Sequence, residues 1–336
     1  GGWKELDRTT LGSSANIIDV SSLDNKRYYM VLYDLQRSGS NNMQFNSLVG
    51  NTTIDATANY SQRKSIDGGA DTTGEVSLSK VSNTAFDTNL HNVFSVGYIA
   101  NKSDKEKLFI THVVDSNVDT ASNAPKRAEI VSKWSDISNP IDIIRADTAA
   151  GGRAFGADSE VVVLGWDPAD THSSNFWEEL ASVDVTTGAT ISTGDFTAKK
   201  YLMVQYYLKS STISFDWQFN SSTDTQTSTY SGRHSNNGAG PTATTDYTQI
   251  NKNVMYENMG FGAHPHSGIM FIVNNAGNEK LVTGHIVSEG TATAGFTPNR
   301  AEFAYKWENT TNQINNITML NNSSVQRFIM KVWGSN

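Results

Sequence analysis

The segment that decides the expected fold is Arg300-Ala301-Glu302-Phe303-Ala304-Tyr305-Lys306-Trp307. Its small and aromatic side chains fall on every second position, at Ala301, Phe303, Tyr305 and Trp307. In an extended strand these side chains point to one face and the charged ones point to the other. On a helix the same aromatic rings would be scattered around the axis, so the pattern predicts a half-buried β-strand.

A second copy of this segment occurs earlier in the chain. Residues Arg127 to Trp134 match Arg300 to Trp307 at an offset of 173 residues (300 − 127 = 173). The inward positions of the earlier copy are Ala128, Ile130, Ser132 and Trp134, and its outward positions are Arg127, Glu129, Val131 and Lys133. The two segments therefore predict the same strand in two places.

Further matches keep almost the same offset. They are Trp3 to Leu6 with Trp177 to Leu180, Tyr28 to Val31 with Tyr201 to Val204, Met43 to Asn46 with Trp217 to Asn220, Glu106 to Leu108 with Glu279 to Leu281, and His112 with His285. An offset that stays constant over most of the chain indicates a tandem duplication. The polar stretch around Pro168 is typical of a linker, which predicts one domain at 1–167 and a second at 168–336.

The rest of each copy favours strands over helices. Short runs rich in β-branched and aromatic residues, such as Tyr28 to Tyr33 and Ile269 to Val273, are bounded by Gly, Asn, Asp or Ser. The length of 336 residues also suits two domains rather than one core. The sequence therefore predicts an all-β protein with two tandem homologous antiparallel β-sandwich domains, jelly-roll-like in their connectivity.

Composition and charge exclude several classes of function. The formal net charge is −8, and Lys and Arg form no cluster of the kind that binds phosphate, so no nucleic-acid partner is expected. Cysteine is absent, which removes disulfides, thiolate nucleophiles and Cys-based metal sites. No run of about 18 apolar residues occurs, so no membrane span is expected.

The residues capable of chemistry do not form a recognisable catalytic set. His91 and His264 occupy equivalent positions in the two copies, and so do His112 and His285, but no carboxylate recurs beside them as a metal ligand would. The matched acids, such as Glu129 two residues after Arg127, are expected to form ion pairs on a polar strand face. A calcium loop at Asp67 to Asp71 lacks EF-hand spacing. We therefore expect no catalytic residue, cofactor or metal, and a protein that is not an enzyme.

Two long polar segments are the candidate binding regions. They run from Gly50 to Gly74 and from Ser221 to Asp246, and loops of this length in a compact domain are often functional. Both place a tyrosine and an arginine three residues apart, and a further tyrosine follows in the second copy; the candidate surface residues are Tyr60, Arg63, Tyr230, Arg233 and Tyr247. Tyrosine and arginine are favoured at binding hot spots. The alternative is a tyrosine that closes the edge of the core beside a solvated arginine.

The motifs quoted above resemble those of a group of virion proteins of tailed phages and related viruses of marine microbes, which carry one or more β-sandwich units. The resemblance covers both copies and includes the Pro-x-Arg-Ala-Glu and Lys-Trp motifs that end at Trp134 and Trp307. It implies a structural component of a virus particle with no catalytic residues to transfer. The first copy departs from the pattern where Ser61 to Ser65 replaces the glycine-rich run from Ser231 to Gly238.

Two hypotheses for the function follow. The first is a non-enzymatic virion structural protein, part of a capsid, decoration or tail, which contacts copies of itself in a homo-oligomer and other virion proteins. The second is a module that binds glycans on a host surface or a receptor, with Tyr60, Tyr230 and Tyr247 stacking on sugar rings. Both place the protein on a virus particle or outside the cell.

Overall fold

The computed structural model describes residues 2–39, 43–83, 91–148, 153–210, 215–220, 229–247, 265–289, 294–295, 297–321 and 324–336. All regular structure in these residues is β-strand, and they contain no helix. Consequently none of the described segments is a helix that could cross a membrane.

The chain divides into two compact units. The first unit consists of Gly1–Asn117 and Lys126–Phe176, and the second unit consists of Val118–Pro125 and Trp177–Asn336. The short segment Val118–Pro125 thus belongs to the second unit, although in the sequence it lies between two strands of the first. We call this segment the inserted loop.

The strands of the first unit are β1 (Lys4–Thr10), β2 (Ile17–Val20), β3 (Tyr28–Leu35), β4 (Asn46–Asn51), β5 (Thr53–Ile54), β6 (Tyr60–Ile66), β7 (Thr72–Leu78), β8 (Val81–Ser82), β9 (Val93–Ala100), β10 (Lys107–Asp115), β11 (Lys126–Trp134), β12 (Ile143–Asp147) and β13 (Glu160–Trp166). Eight of them form one antiparallel sheet in the order β1-β13-β3-β9-β10-β11-β6-β7. The remaining five form a smaller sheet in the order β2-β12-β4-β5, with β8 also paired to β4.

The core of the first unit joins its two sheets. Val31 and Trp134 from the large sheet and Val49 and Ile144 from the small sheet are buried in one apolar cluster. Residues on β11 alternate as the sequence predicts, with Ala128, Ile130 and Trp134 buried. This half-buried alternation is what makes β11 a strand of a sandwich, because only one face of it is covered by the core.

The strands of the second unit are β14 (Glu178–Val185), β15 (Thr190–Ser192), β16 (Tyr201–Ser210), β17 (Phe215–Phe219), β18 (Tyr230–Asn236), β19 (Thr242–Tyr247), β20 (His266–Val273), β21 (Lys280–Ser288), β22 (Asn299–Trp307), β23 (Ile317–Asn321) and β24 (Val325–Ser335). Its large sheet has the order β14-β24-β16-β20-β21-β22-β18-β19, which repeats the order of the first unit position by position. The described part of its small sheet has the order β15-β23-β17. The predicted fold class, two tandem antiparallel β-sandwiches, is confirmed.

The second unit packs its core with large aromatic rings placed over glycines. Gly284 on β21 lies opposite Phe303 on β22, and Gly232 on β18 lies opposite Tyr305 on the same strand. A Cβ atom added to Gly284 would lie 2.5 Å from the carbonyl oxygen of Ile269. These glycines therefore make room for the rings of the neighbouring strand.

The long polar segments are not loops throughout. Within the first of them, Tyr60–Ile66 forms β6, and within the second, Tyr230–Asn236 forms β18. Residues 221–228 of the second segment lie outside the described residues. The apolar and polar pattern does not predict these strands, because their inward side chains include polar ones, such as Gln62, which is buried with a hydrogen bond to Glu75.

Candidate interaction surface

Tyr60 lies in the core of the first unit. Its ring is 2% exposed, and its hydroxyl oxygen accepts a hydrogen bond from the backbone N–H of Val49 at 3.0 Å. The carbonyl oxygens of Val49 and Asp55 each lie 2.8 Å from the same hydroxyl, so either can accept its proton. Burial raises the pKa of the Tyr60 hydroxyl well above its usual range. Tyr60 thus fastens β6 to β4 and does not reach the surface.

Tyr230 has the same role in the second unit. Its ring is 2% exposed and stacks on the ring of Trp307, with centroids 6.1 Å apart and planes 13° from parallel. Its hydroxyl accepts a hydrogen bond from the N–H of Phe219 at 3.0 Å. The expectation that Tyr60 and Tyr230 present their rings to a ligand is therefore wrong, because both rings close the core.

The other three candidate residues lie outside the core. Arg63, three residues beyond Tyr60, points to the opposite face of β6, and its side chain is 57% exposed. Arg233 is half-buried, and its Nε donates a hydrogen bond to the carbonyl oxygen of Pro125 at 2.9 Å. Tyr247 is partly buried against the second core, opposite Tyr230. The structure therefore brings Tyr230 and Tyr247 together but gives the five residues no common site.

The surface that the structure does present is the outer face of β6, β10 and β11 in the first unit. Leu108, Ile110 and Val131 are exposed there at 57%, 51% and 48%. They line an open groove with Ser61, Arg63, Val76 and Lys133. We call this surface the open face. The outward positions of β11 were expected to be polar, and Val131 among them was the one signal of this face in the sequence.

Charged side chains surround the apolar centre of the open face. Arg63 lies 3.5 Å from Asp71, and Lys133 donates a hydrogen bond to Glu106 at 2.9 Å. Both pairs are about half exposed, and ion pairs of this kind contribute little to stability. Their side chains can therefore change partners at low cost. An apolar centre with a charged rim is typical of a protein-protein contact surface.

The matched acids are held in ion pairs. Arg127 pairs with Glu129 on β11, and Arg300 pairs with Glu302 on β22, as the sequence predicts. On β14, the Glu179 carboxylate accepts hydrogen bonds from Lys331 at 2.8 and 2.9 Å. These carboxylates therefore face cations on strands and do not face each other across a cleft, as the two acids of a glycosidase do.

Two of the repeated histidines lie opposite a glutamate of the neighbouring strand. His112 lies opposite Glu129 on the neighbouring strand, and His285 lies opposite Glu302 in the second unit. His264 lies outside the described residues. Among the residues that the structure describes, no three His, Asp or Glu side chains are arranged to hold a metal ion.

A buried lysine recurs in both units. Lys107 and Lys280 are fully buried, and each lies over a tryptophan ring, with its Nζ 5.3 Å from the centroid of Trp134 and 5.8 Å from that of Trp307 respectively. Each ammonium group donates to backbone carbonyls, that of Lys280 at 2.8 Å to Asn309. Burial lowers the pKa of Lys280 to about 8. The contacts of these lysines are structural, because the tryptophan and the carbonyls occupy their donors.

Comparison with known proteins assigns the chain to no family. No family model matches the chain, and no curated protein matches it. Among solved structures, domains LG4-5 of the mouse laminin α1 chain are 9% identical with a TM-score of 0.20, over 96% of this chain and 86% of that chain. The infectious bursal disease virus Gx strain structure is 9% identical with a TM-score of 0.11, over 98% of this chain and 80% of that chain. Similarity at this level carries no argument about function.

Proposed function

We propose that this chain is a non-enzymatic structural protein of a virus particle that works through protein-protein contacts. Its partners are copies of itself and other virion proteins in a capsid, decoration or tail. The observation that carries the proposal is the open face, where three aliphatic side chains on two adjacent strands are about half exposed. Exposure of apolar side chains to water raises the free energy of the protein. A partner that covers these side chains removes this cost, so the surface favours binding.

The build of the two units supports a structural role. Each large sheet holds its strands by continuous antiparallel pairing and closes its core with a buried tyrosine, Tyr60 or Tyr230, that bonds to the facing sheet. Rigid sandwiches of this kind can present a flat face to a partner without a loss of order. Two of them in one chain offer two similar but distinct surfaces for contacts in an assembly.

The setting on a virus particle rests on the resemblance of the strand motifs to those of virion proteins. The motifs concerned, such as Pro-x-Arg-Ala-Glu before Trp134 and Trp307, are core and strand residues. They therefore support a shared fold more strongly than they support a particular position in the particle.

The test of the proposed role is the composition of purified virus particles. Particles banded on a density gradient would be analysed by quantitative mass spectrometry with peptides of this chain as standards. A structural component is expected in many copies per particle, in a constant ratio to the other shell or tail proteins. Its absence from the particles would contradict the proposal.

A further inference from the structure

The inserted loop is held on the second unit by backbone contacts. Ser231 donates a hydrogen bond to the carbonyl oxygen of Asn123 at 3.1 Å, and Arg233 donates one to that of Pro125 at 2.9 Å. Lys306 donates to the carbonyl oxygen of Val118. Because the acceptors are backbone carbonyls, these contacts depend little on the side chains of the loop.

The first unit carries the same three donors on its open face. Ser61, Arg63 and Lys133 occupy the positions of Ser231, Arg233 and Lys306, since β6 and β11 correspond to β18 and β22 in the matching sheets. The two sets of residues are identical in type. The first unit thus has the donors that hold the inserted loop, on a surface that is exposed.

Burial differs sharply between the two equivalent faces. Leu281, Thr283 and Ala304 of the second unit are 1%, 6% and 0% exposed. They correspond to Leu108, Ile110 and Val131, which are 57%, 51% and 48% exposed. The face of the first unit is therefore both more apolar and far more accessible than its counterpart.

The solvent exposure of the two equivalent loops differs in the opposite direction, because here the first-copy residues are buried and the second-copy residues are exposed. In the inserted loop, Ala121 and Ala124 are 1% and 6% exposed, and Pro125 is buried. The matching segment between β21 and β22 is residues 291–298, which we call the second loop; of its described residues, Ala294, Gly295, Thr297 and Pro298 are all exposed. The sequence Thr-Ala followed by Pro recurs in both loops. The described residues of the second loop and the open face are thus both accessible, and each is the counterpart of a buried surface.

We infer that the open face of the first unit binds the second loop of another copy of this chain. The backbone of that loop accepts hydrogen bonds from Ser61, Arg63 and Lys133, and the loop covers Leu108, Ile110 and Val131. This inference rests on the proposed structural role and names its partner. The contact joins different surfaces of the two copies, so repeating it produces a ring or a filament rather than a closed dimer.

The charges on the open face permit this contact. Arg63 and Lys133 form solvent-exposed ion pairs with Asp71 and Glu106, and such pairs exchange readily for new partners.

The test uses two variants of the full-length chain that block opposite ends of the contact. Ile110→Lys places a charge in the middle of the open face and leaves the second loop intact. Ala294→Arg enlarges the second loop at a position whose counterpart, Ala121, is 1% exposed, and leaves the open face intact. Ile17→Lys is the matched control, because Ile17 is an exposed strand residue (41%) of the first unit outside the open face.

Light scattering after gel filtration distinguishes the outcomes. The unmodified chain and Ile17→Lys are expected to exceed the monomer mass of 36.7 kDa as concentration rises, whereas each blocking variant remains a monomer. An equimolar mixture of Ile110→Lys and Ala294→Arg should give a dimer and nothing larger, because one intact loop and one intact face remain available to each other. Circular dichroism of each variant confirms that it is folded.

Two results would overturn the inference. One is an unmodified chain that is a monomer at every concentration, and the other is association of the two blocking variants as strong as that of the unmodified chain. In either case the presence of the chain in purified particles, in a constant ratio, would leave the proposed structural role standing. If the chain is absent from the particles but the mixture of variants forms a specific dimer, the proposed structural role is contradicted. The inferred contact between the open face and the second loop then still stands.

Discussion

The most specific prediction concerns the tyrosines that proved to be buried. Replacing Tyr60 by phenylalanine keeps the ring in the core and removes only the hydroxyl. That hydroxyl accepts a hydrogen bond from the N–H of Val49, a residue that is 2% exposed, and it lies 2.8 Å from two carbonyl oxygens. The change therefore leaves a buried N–H without this partner, and water cannot replace it.

The magnitude follows from the cost of an unsatisfied buried polar group. That cost is about 1–3 kcal/mol, and we expect Tyr60→Phe to lower the free energy of unfolding of the first unit by this amount. For a domain of this size, each kcal/mol corresponds to roughly 2–4 °C in Tm, so the midpoint should fall by roughly 2–12 °C. Tyr230→Phe is expected to act on the second unit in the same direction, since its hydroxyl also accepts from a strand N–H.

Differential scanning calorimetry of the full chain measures the effect. Tyr247→Phe serves as the control, because Tyr247 is a partly buried ring for which the described part of the chain shows no hydrogen bond to the hydroxyl; its midpoint should stay within about 2 °C of the unmodified protein. A Tyr60→Phe chain as stable as the unmodified one would refute the view that this hydroxyl fastens the two sheets.

Three further changes test the packing and the electrostatics. Burial raises the pKa of Asp115 to about 6. Because the folded state then holds the proton more tightly than the unfolded state, the free energy of unfolding falls as pH rises from about 4 to 6. Asp115→Asn should remove this pH dependence and raise the free energy of unfolding at pH 7 by up to about 3 kcal/mol, as measured by urea titration. Burial alone would raise the pKa of Asp55, but hydrogen bonds, that from Thr57 foremost, hold the pKa at about 2. The ionised carboxylate therefore stabilises the folded state above about pH 4, and this stabilisation is lost as pH falls toward 2. Asp55→Ala should lower the free energy of unfolding by about 1–2 kcal/mol at pH 7 and by much less at pH 2. Gly284→Ala places a Cβ 2.5 Å from the carbonyl oxygen of Ile269 and should lower the free energy of unfolding by about 1–3 kcal/mol, as measured from the urea midpoint. An unchanged midpoint would show that the strands can move apart to make room for the methyl group.

The duplication and the strands with an apolar inward face could be predicted from sequence. On β11 the alternation of side chains is local, and Val131 on its outer face stays exposed. On β22 the prediction of a half-buried strand is wrong, because every residue from Ala301 to Trp307 is buried and both faces are covered. The ion pair of Arg127 with Glu129 followed from the same alternation, since the two residues are two positions apart on one face of the strand, where Arg127 is buried.

The strands β6 and β18 could not be predicted in this way. Their inward positions include the buried polar side chains of Gln62, Lys64 and His234. On β6, Glu75 of the neighbouring strand accepts a hydrogen bond from Gln62 and forms an ion pair with Lys64. A pattern of apolar and polar residues does not show such pairing, because the partners lie far away in the sequence. The segments consequently resemble loops.

One of the matches between the copies is out of register in the structure. The sequence match aligns Phe45 with Phe219. In the structure, however, the backbone N–H of Phe219 bonds to the Tyr230 hydroxyl, and the equivalent bond to the Tyr60 hydroxyl comes from Val49. Val49 also lies opposite Ile144, as Phe219 lies opposite Ile317. Similar residues on a short segment can match in sequence while the strand itself is displaced by several residues.

The candidate site was the part that sequence predicted least well. Tyr60 and Arg63 are neighbours in the chain, but they point to opposite faces of β6, so one enters the core and the other reaches solvent. The open face depends on which side chains of β10 and β11 come together, and the register of two strands decides that. Only Val131, an apolar residue among charged outward positions, pointed to it in advance.

The most direct measurement of the central claim is the solution mass of the unmodified chain over a range of concentrations, by light scattering after gel filtration. A protein that works through contacts with its own copies is expected to grow from 36.7 kDa into dimers and larger species as concentration rises. It should return to the monomer when Ile110 is replaced by lysine. A single mass of 36.7 kDa at every concentration, unaffected by that substitution, would contradict the claim that copies of this chain bind each other through the open face.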